Sequence, residues 1–247
     1  MKNLLHIIFL FFTIQNCCEA QELISIQTDR PDQTECPFIT PVHYFQFENG
    51  FNYEKTIATN TLFVVPTILT RFGISPNFEL RMLFEFTTEK NISGLNPVYV
   101  GFKTNLCKEK GVIPTTSFIA HIGIPNFASN NLKTTFYMPE FRFTMQHSIN
   151  NKQTLSYNIG AEWNGETAEP TFVYTLATGY TVTEKVGIYI ELYGFLPQIE
   201  KPDHRFDGGL TYLMHSNHQL DISYGVGLSK TSLKYFISLG YSFRFKI

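Results

Sequence analysis

The segment FELRMLFEFTT, Phe78–Thr88, decides the fold class. From residue 78 to 86 the residues of one parity are all apolar, and those of the other parity include the charged residues Glu79, Arg81 and Glu85. Successive side chains of a β-strand point to opposite faces, so the segment is predicted to be a strand with one apolar and one charged face. A soluble sheet buries its apolar face in a core, whereas a membrane barrel turns that face to lipid and its polar face to a lumen.

The same alternation recurs along the chain from about residue 43 to the C-terminus. Clear examples are YNIGAEW (157–163), VGIYIEL (186–192), LDISYGVGL (220–228) and YFISLGYSFRFKI (235–247). The apolar faces are uniform, and the opposite faces carry small and charged residues. We therefore predict an all-β fold, a transmembrane antiparallel β-barrel of about twelve strands. The predicted spans are 43–54, 61–73, 78–88, 97–107, 114–124, 134–147, 153–163, 170–181, 186–196, 205–215, 218–228 and 235–246.

Composition narrows the function classes. The 247 residues carry a formal net charge of −2, which excludes the basic footprint that nucleic-acid binding requires. The mean hydropathy of −0.07 argues against a bundle of transmembrane helices, and the aromatic content of 15% favours strands. We see no Cys/His cluster with metal-ligand spacing and no phosphate-binding glycine loop, so we predict neither a metal nor another cofactor.

The N-terminus indicates export. Lys2 precedes the short apolar run Leu4–Ile14, and small residues precede Gln21, which predicts a secretory signal peptide over 1–20. An uncleaved anchor and a lipoprotein processed at the cysteine pair 17–18 remain alternatives. With a barrel after the signal, we expect residence in the outer membrane of a Gram-negative bacterium, surrounded by outer-membrane lipid. The last strand ends in aromatic residues, which suits recognition by the barrel insertion machinery.

The predicted organisation after the signal is a lumenal or periplasmic segment over 21–42 and a barrel over 43–247. The connections expected on the periplasmic side are ISPN, KEKG, INNK, TEK and SN, and the longer ones are expected outside. A disulfide between Cys36 and Cys107 is permitted by export but is not established by the sequence.

The inward faces of the predicted strands define a candidate lumen wall. Its members are Arg71, Glu79, Arg81, Glu85, Lys103, His121, Glu140, Arg142, Glu162, Glu191, Asp221 and Arg244. Position along the strands predicts a lumen that is basic toward the periplasm and acidic toward the outside. Three inward tyrosines, Tyr99, Tyr189 and Tyr193, are candidates either for stacking with an aromatic solute or for filling the lumen.

The stretch IQTDRPDQTECPF, Ile26–Phe38, is the one part after the signal without strand alternation. We expect it to fold into the lumen as a plug, with Asp29, Arg30, Asp32 and Glu35 as its charged residues. Its carboxylates would pair with the wall arginines 71, 81, 142 and 244, because charges in a confined lumen are costly unless they are paired or hydrated. A disordered periplasmic leader is the alternative.

The stretches TDRPDQTECPF, VHYFQFENGF and LTRFGISPNFELRM, with DGGLTYLMHSNHQLDISYGVGLS and the closing YSFRF, resemble a family of Gram-negative outer-membrane proteins. The family is named for the meta-pathway of phenol degradation, and many of its members are labelled transporters. The resemblance covers most of the chain after residue 20. It implies an outer-membrane barrel that passes small molecules.

Three functions follow as expectations. The first is a channel or transporter for small solutes, with aromatic or hydrophobic compounds among the candidates, whose pore the N-terminal segment narrows. The second is an outer-membrane lipid-modifying enzyme of the phospholipase or lipid A hydrolase type, which needs a nucleophile, a base and an orienting group within hydrogen-bond reach. The third is a structural surface barrel. We expect the first function. We find no such catalytic constellation, so we do not expect an enzyme. The external loops are short, whereas surface contacts are usually built from long loops, which argues against a structural surface barrel.

Overall fold

The computed structural model describes residues 25–56 and 60–247. The predicted signal peptide, 1–20, and the first residues of the segment 21–42 lie outside this described part. Within it, no helix is long and apolar enough to cross a membrane. The strands are β1 Tyr44–Lys55, β2 Thr61–Ser75, β3 Phe78–Glu89, β4 Ile92–Leu95, β5 Val98–Cys107, β6 Thr115–Ile124, β7 Met138–Asn150, β8 Gln153–Glu162, β9 Thr171–Thr181, β10 Val186–Pro197, β11 Asp203–His215, β12 His218–Gly227 and β13 Tyr235–Lys246.

Twelve of these strands close into an antiparallel barrel. Each pairs with its neighbour in chain order, and β1 pairs with β13 from Tyr44↔Lys246 to Lys55↔Tyr235, which closes the ring. The prediction of an antiparallel barrel of about twelve strands is therefore confirmed. Closure satisfies the backbone hydrogen bonds of every barrel strand without leaving an edge, as a lipid environment requires.

The burial pattern is the reverse of that of a soluble protein. In β3 the apolar side chains of Leu80, Met82 and Phe86 are 47%, 41% and 41% exposed, whereas Glu79 and Arg81 are 0% and 2% exposed. Strands β12 and β13 repeat this pattern, with Ile222 and Leu239 exposed and Asp221 buried. Apolar side chains that cover the outside of a closed barrel while charges line its inside are typical of lipid-facing walls.

Two strand predictions need correction. The span 134–147 begins at Met138, because residues 125–127 and 130–132 form short 3₁₀ turns ahead of β7. The expected loop between β3 and β5 contains the additional strand β4. Strand β5 pairs with β3 only as far as Leu83↔Tyr99, which leaves the end of β3 free to pair with β4 through Phe86↔Leu95 to Glu89↔Ile92.

The two ends of the barrel differ in their connections. At the end we call the turn end, β2–β3, β7–β8 and β11–β12 are joined through residues 76–77, 151–152 and 216–217. At the opposite end, the loop end, the connections include the longer stretches 125–137 and 163–170. The chain enters β1 at the turn end, where Val42 forms a bridge with Gly73.

Candidate functional site

Residues 26–41 lie inside the barrel and follow its inner wall. The backbone N–H of Ile26 donates to the carbonyl of Ser216 at 2.7 Å, which ties the start of the segment to the turn end. The segment also returns to the turn end, because a Cβ at Gly73 would overlap the carbonyl oxygens of Thr40 and Pro41. Glycine at this position allows the returning backbone to lie directly against β2.

Between these two points the segment contacts the strands in turn around the lumen. Its Arg30 side chain reaches Asp221 on β12, and the backbone N–H of Gln33 donates to Glu191 on β10 at 2.8 Å. The backbone N–H of Glu35 then donates to Asn158 on β8 at 2.7 Å. Farther on, Ser117 on β6 donates to the carbonyl of Pro37, and the N–H of Thr40 donates to Glu79 on β3 at 2.7 Å. These contacts satisfy backbone groups that would otherwise be buried without partners.

A cluster of six buried charges binds both the first and the last part of the segment. Its members are Asp29, Glu48, Glu79, Arg71, Arg81 and Lys103, three negative and three positive groups, and each is at most 6% exposed. Asp29 accepts from Arg81 at 2.7 Å and from Lys103 at 2.8 Å and lies 3.3 Å from Arg71. Arg71 binds Glu79 through two nitrogens, at 2.8 and 3.1 Å, and binds Glu48 at 2.9 Å.

The surroundings of Asp29 decide its charge. Burial alone would raise the pKa of this carboxyl, but Arg71, Lys103 and Arg81 outweigh burial and hold its pKa well below the usual value of 3.8. Asp29 is thus an anion at any ordinary pH. Since it is the segment's own contribution to the cluster, its withdrawal would leave the wall with three cations and two carboxylates.

Asp32 behaves differently from our expectation. We expected it to pair with a wall arginine, but no ion pair found among the described residues includes it, and its neighbours are Glu191 and Asp207. Burial, followed by the charges of these two carboxylates, raises the pKa of Asp32 well above 3.8. The physical reason is the path of the segment, which turns toward β10 and β11 at this point. Glu191 accepts hydrogen bonds there from the backbone N–H of Gln33 and from the hydroxyl of Thr34.

The remaining predicted wall residues divide into partners of the segment and partners of one another. Glu35 accepts from Arg81 at 3.1 Å, and Arg142 donates to the carbonyl of Gln33 at 3.2 Å. Arg142 also lies 3.6 Å from Glu162. Among the described residues, Arg244 contacts other residues of the barrel rather than Asp29, Asp32 or Glu35. It donates to Asn217 at 2.8 Å and lies over the ring of Tyr44.

His121 is held on both sides of its ring. Arg81 donates through Nε to Nε2 of His121 at 3.0 Å, so Nε2 must be the acceptor and Nδ1 carries the proton. Nδ1 lies 2.7 Å from Glu140. Farther toward the loop end, Glu85 accepts from the side chain of Asn96 at 3.4 Å.

The charge distribution of the lumen differs from the predicted one. The part near the turn end is not simply basic, because Glu48 and Glu79 compensate the cations there. Glu48 was absent from the predicted wall, although alternation in β1 points to it, since Gln46 and Glu48 share the parity opposite to Phe45 and Phe47. Asp207 was absent as well, although it shares its parity in β11 with Arg205.

The three tyrosines are packed to different degrees. Tyr193 is 1% exposed and packs against Leu233 and Phe236, with Phe195 edge-on at 6.0 Å. Tyr189 is 9% exposed, and its ring occupies the space that Gly209 leaves in β11. The hydroxyl of Tyr99 lies 3.7 Å from the sulfur of Met138.

The segment has a cavity on each side. The cavity toward the loop end has a volume of about 290 Å³, and the cavity toward the turn end has a volume of about 310 Å³. Arg30, Pro31 and Asp32 line both cavities. The two spaces are therefore separated at these residues by the thickness of the segment itself. A larger recess of about 650 Å³ opens at the loop end.

Cys36 and Cys107 are both free thiols, so the question of their disulfide is answered in the negative. Burial, with a further contribution from Asp29, raises the pKa of the Cys36 thiol to about 12. Within residues 25–56 and 60–247, no group of three or more His, Cys, Asp and Glu side chains has a geometry that could hold a metal ion.

Comparison with known families matches residues 28–245, which include all but the first two residues of the lumenal segment 26–41, to the family described as "Putative MetA-pathway of phenol degradation". The chain belongs to this family. The resemblance seen in the sequence is thereby confirmed. The match to the family covers the lumenal segment of this chain as well as its barrel.

Solved structures agree on the fold. An outer membrane channel from Pseudomonas putida F1 superposes with a TM-score of 0.67 at 12% identity, over 87% of this chain and 99% of that chain. The KdgM porin, in complex with disordered oligogalacturonate, superposes with a TM-score of 0.54 at 11% identity, over 81% of this chain and 99% of that one. At such identities the similarity establishes an outer-membrane-type barrel and no more. A comparison with curated proteins found no match.

Proposed function

We propose that this protein is an outer-membrane channel for small solutes in which residues 26–41 restrict the pore. The observation that carries the proposal is the pair of cavities on either side of the segment, which share Arg30, Pro31 and Asp32 as lining residues. A barrel of twelve strands is intermediate between those filled by side chains and those that hold an open aqueous channel. A thin segment that is held by hydrogen bonds and ion pairs is therefore enough to narrow the pore of such a barrel.

The solutes that fit this lumen are small and polar. Both cavities are lined largely by polar and charged side chains, so an apolar solute would have to displace water from charges without replacing their hydrogen bonds. We give aromatic compounds less weight, because Tyr193 already packs against Leu233 and Phe236. The acidic oligogalacturonate of the KdgM porin is also a poor match for a loop-side cavity in which carboxylates outnumber arginines.

No particular observation favours a second function. The lipid-modifying alternative needs a histidine free to act as a base, and both ring nitrogens of His121 are engaged by Arg81 and Glu140. Incubation of the purified protein with labelled phospholipid or lipopolysaccharide tests the alternative, and sustained hydrolysis would revive it.

The proposal is tested by conductance in planar lipid bilayers. The wild-type protein is compared with a variant that lacks residues 21–41, after both are shown to form heat-modifiable barrels on gels. We expect low conductance from the wild type and a large stable conductance from the deletion variant. A folded deletion variant that passes neither ions nor small sugars would refute a channel.

A further inference from the structure

The side chain of Arg30 leaves the segment and lies in a slot in the barrel wall. Its Nη2 donates to Oδ1 of Asp221 on β12 at 2.9 Å and to the hydroxyl of Ser238 on β13 at 2.8 Å. The Asp221 side chain is 0% exposed, and that of Arg30 is 16% exposed. The ion pair is thus shielded from water on the Asp221 side.

Two glycines form the slot. Gly50 of β1 and Gly240 of β13 are directly paired, and Gly240 is also paired with Asp221 of β12. A Cβ on Gly50 would overlap the guanidinium of Arg30, and a Cβ on Gly240 would overlap its Nε. The wall therefore lacks side chains just where the arginine lies, so the Arg30 side chain fills space that would otherwise be open lumen.

This slot coincides with the thinnest part of the barrier. Only the segment's residues 30–32 were found to line both the loop-side and the turn-side cavity. Pro31 is a rigid, uncharged member of this group, and Asp32 points toward β10 and β11, as its neighbours Glu191 and Asp207 indicate. Because Arg30 itself lines both cavities, withdrawal of its side chain would thin the barrier at the slot while the backbone contacts of the segment stay in place.

The charges beside this path are negative. If Arg30 leaves, Asp221 faces the slot with both carboxylate oxygens, one of which already has no hydrogen-bond partner. Leaving Asp32 aside, six carboxylates and four arginines line the loop-side cavity, and Arg30 is one of the four. A narrow path lined by one sign of charge concentrates ions of the opposite sign.

We propose that the permeation path runs through the slot of Gly50 and Gly240, that Arg30 closes it by binding Asp221, and that the open path prefers small cations. This inference rests on the proposed channel function and adds to it a gating residue and a charge class for the solute.

The test is bilayer recording of Arg30→Ala, Arg30→Met and the double variant Arg30→Ala/Asp221→Asn, with reversal potentials measured in a potassium chloride gradient. Arg30→Ala should raise the conductance clearly above wild type, with a cation-over-anion permeability ratio raised roughly tenfold. Arg30→Met keeps most of the side-chain volume without its charge and should conduct less than Arg30→Ala. The double variant should conduct without the gain in cation preference, because the anion in the slot is gone.

Arg205→Ala is the matched control. Arg205 lines the loop-side cavity, lies over the ring of Phe195 and pairs with Asp203. It is not among residues 30–32, which separate the two cavities. Its removal should leave the conductance close to that of wild type. Folding of each variant is checked by heat-modifiable gel migration. If folded Arg30→Ala conducts like wild type while the variant lacking 21–41 conducts strongly, Arg30 is not the gate and the channel function stands. If the deletion variant is closed as well, the channel function itself fails.

Discussion

Substitution of Asp29 by Asn tests whether buried charge holds the segment in the lumen. The change keeps the shape of the side chain and removes its charge. In the wild type, Asp29 lies 2.7 Å from Arg81, 2.8 Å from Lys103 and 3.3 Å from Arg71, and its side chain is 4% exposed. The variant leaves three buried cations facing the buried carboxylates of Glu48 and Glu79 and the more exposed carboxylate of Glu35.

The size of the effect follows from this imbalance. Removal of one partner from a buried ion pair typically costs about 3–5 kcal/mol. Every 1.4 kcal/mol is a factor of ten in an equilibrium, so the ratio of released to bound segment should rise by roughly 10²- to 4 × 10³-fold. The cost falls on the bound state, because released segment leaves the wall cations open to water and counter-ions.

Single-channel recording measures this ratio as the fraction of time spent in the high-conductance state. Glu35→Gln is the matched control, since the side chain of Glu35 is 17% exposed and pairs with Arg81 at 3.1 Å. Ion pairs nearer to solvent contribute about 0–1 kcal/mol, so this control should change the ratio less than tenfold. Equal open fractions in Asp29→Asn, Glu35→Gln and wild type would refute the role given to the buried cluster.

Further predictions concern the backbone contact, acidity and thiol access. Gly73→Ala should release the segment or impair assembly, because its Cβ would overlap the carbonyl of Thr40; conductance and heat-modifiability measure this, and a closed, well-assembled variant would argue against the contact. The pKa of Asp32 is raised in the bound segment. The bound segment therefore keeps a proton on Asp32 at pH values above 3.8, where the free segment loses it. Binding should therefore weaken as pH rises from about 4 through the raised pKa, and Asp32→Asn should flatten the rise of conductance with pH; an unchanged pH profile in the variant would contradict this. Cys36 should react slowly with maleimide at pH 7.5 while exposed Cys107 reacts quickly, and Asp29→Asn should speed the reaction of Cys36, as mass spectrometry of labelled peptides would show.

Most of the barrel could be read from the sequence because its information is local. Alternation within β3 separates lipid-facing Leu80 and Met82 from lumen-facing Glu79 and Arg81 without knowledge of any other strand. Strand ends were predicted closely, as in β8, where 153–163 was expected and Gln153–Glu162 is found. The pattern could not reveal β4, because its pairing depends on where β5 stops contacting β3.

The candidate site was only partly predictable. The sequence indicates which charges face the lumen, and it indicates that the segment before β1 carries acids that complement the wall arginines. Asp29 and Glu35 do lie beside arginines, whereas Asp32 lies beside Glu191 and Asp207. The path of the segment around the wall determines this difference. That path depends on contacts as distant in the chain as Arg30 and Asp221, which are 191 residues apart.

By itself, then, the sequence determined the barrel and which residues of its wall face lipid or the lumen, because a two-residue period is a property of each strand alone. It also indicated the family to which the chain belongs. Only the tertiary structure decided which charges meet, since closure of the ring brings β1, β12 and β13 together. The slot of Gly50 and Gly240 exists for the same reason, because it is shared by strands from opposite ends of the chain.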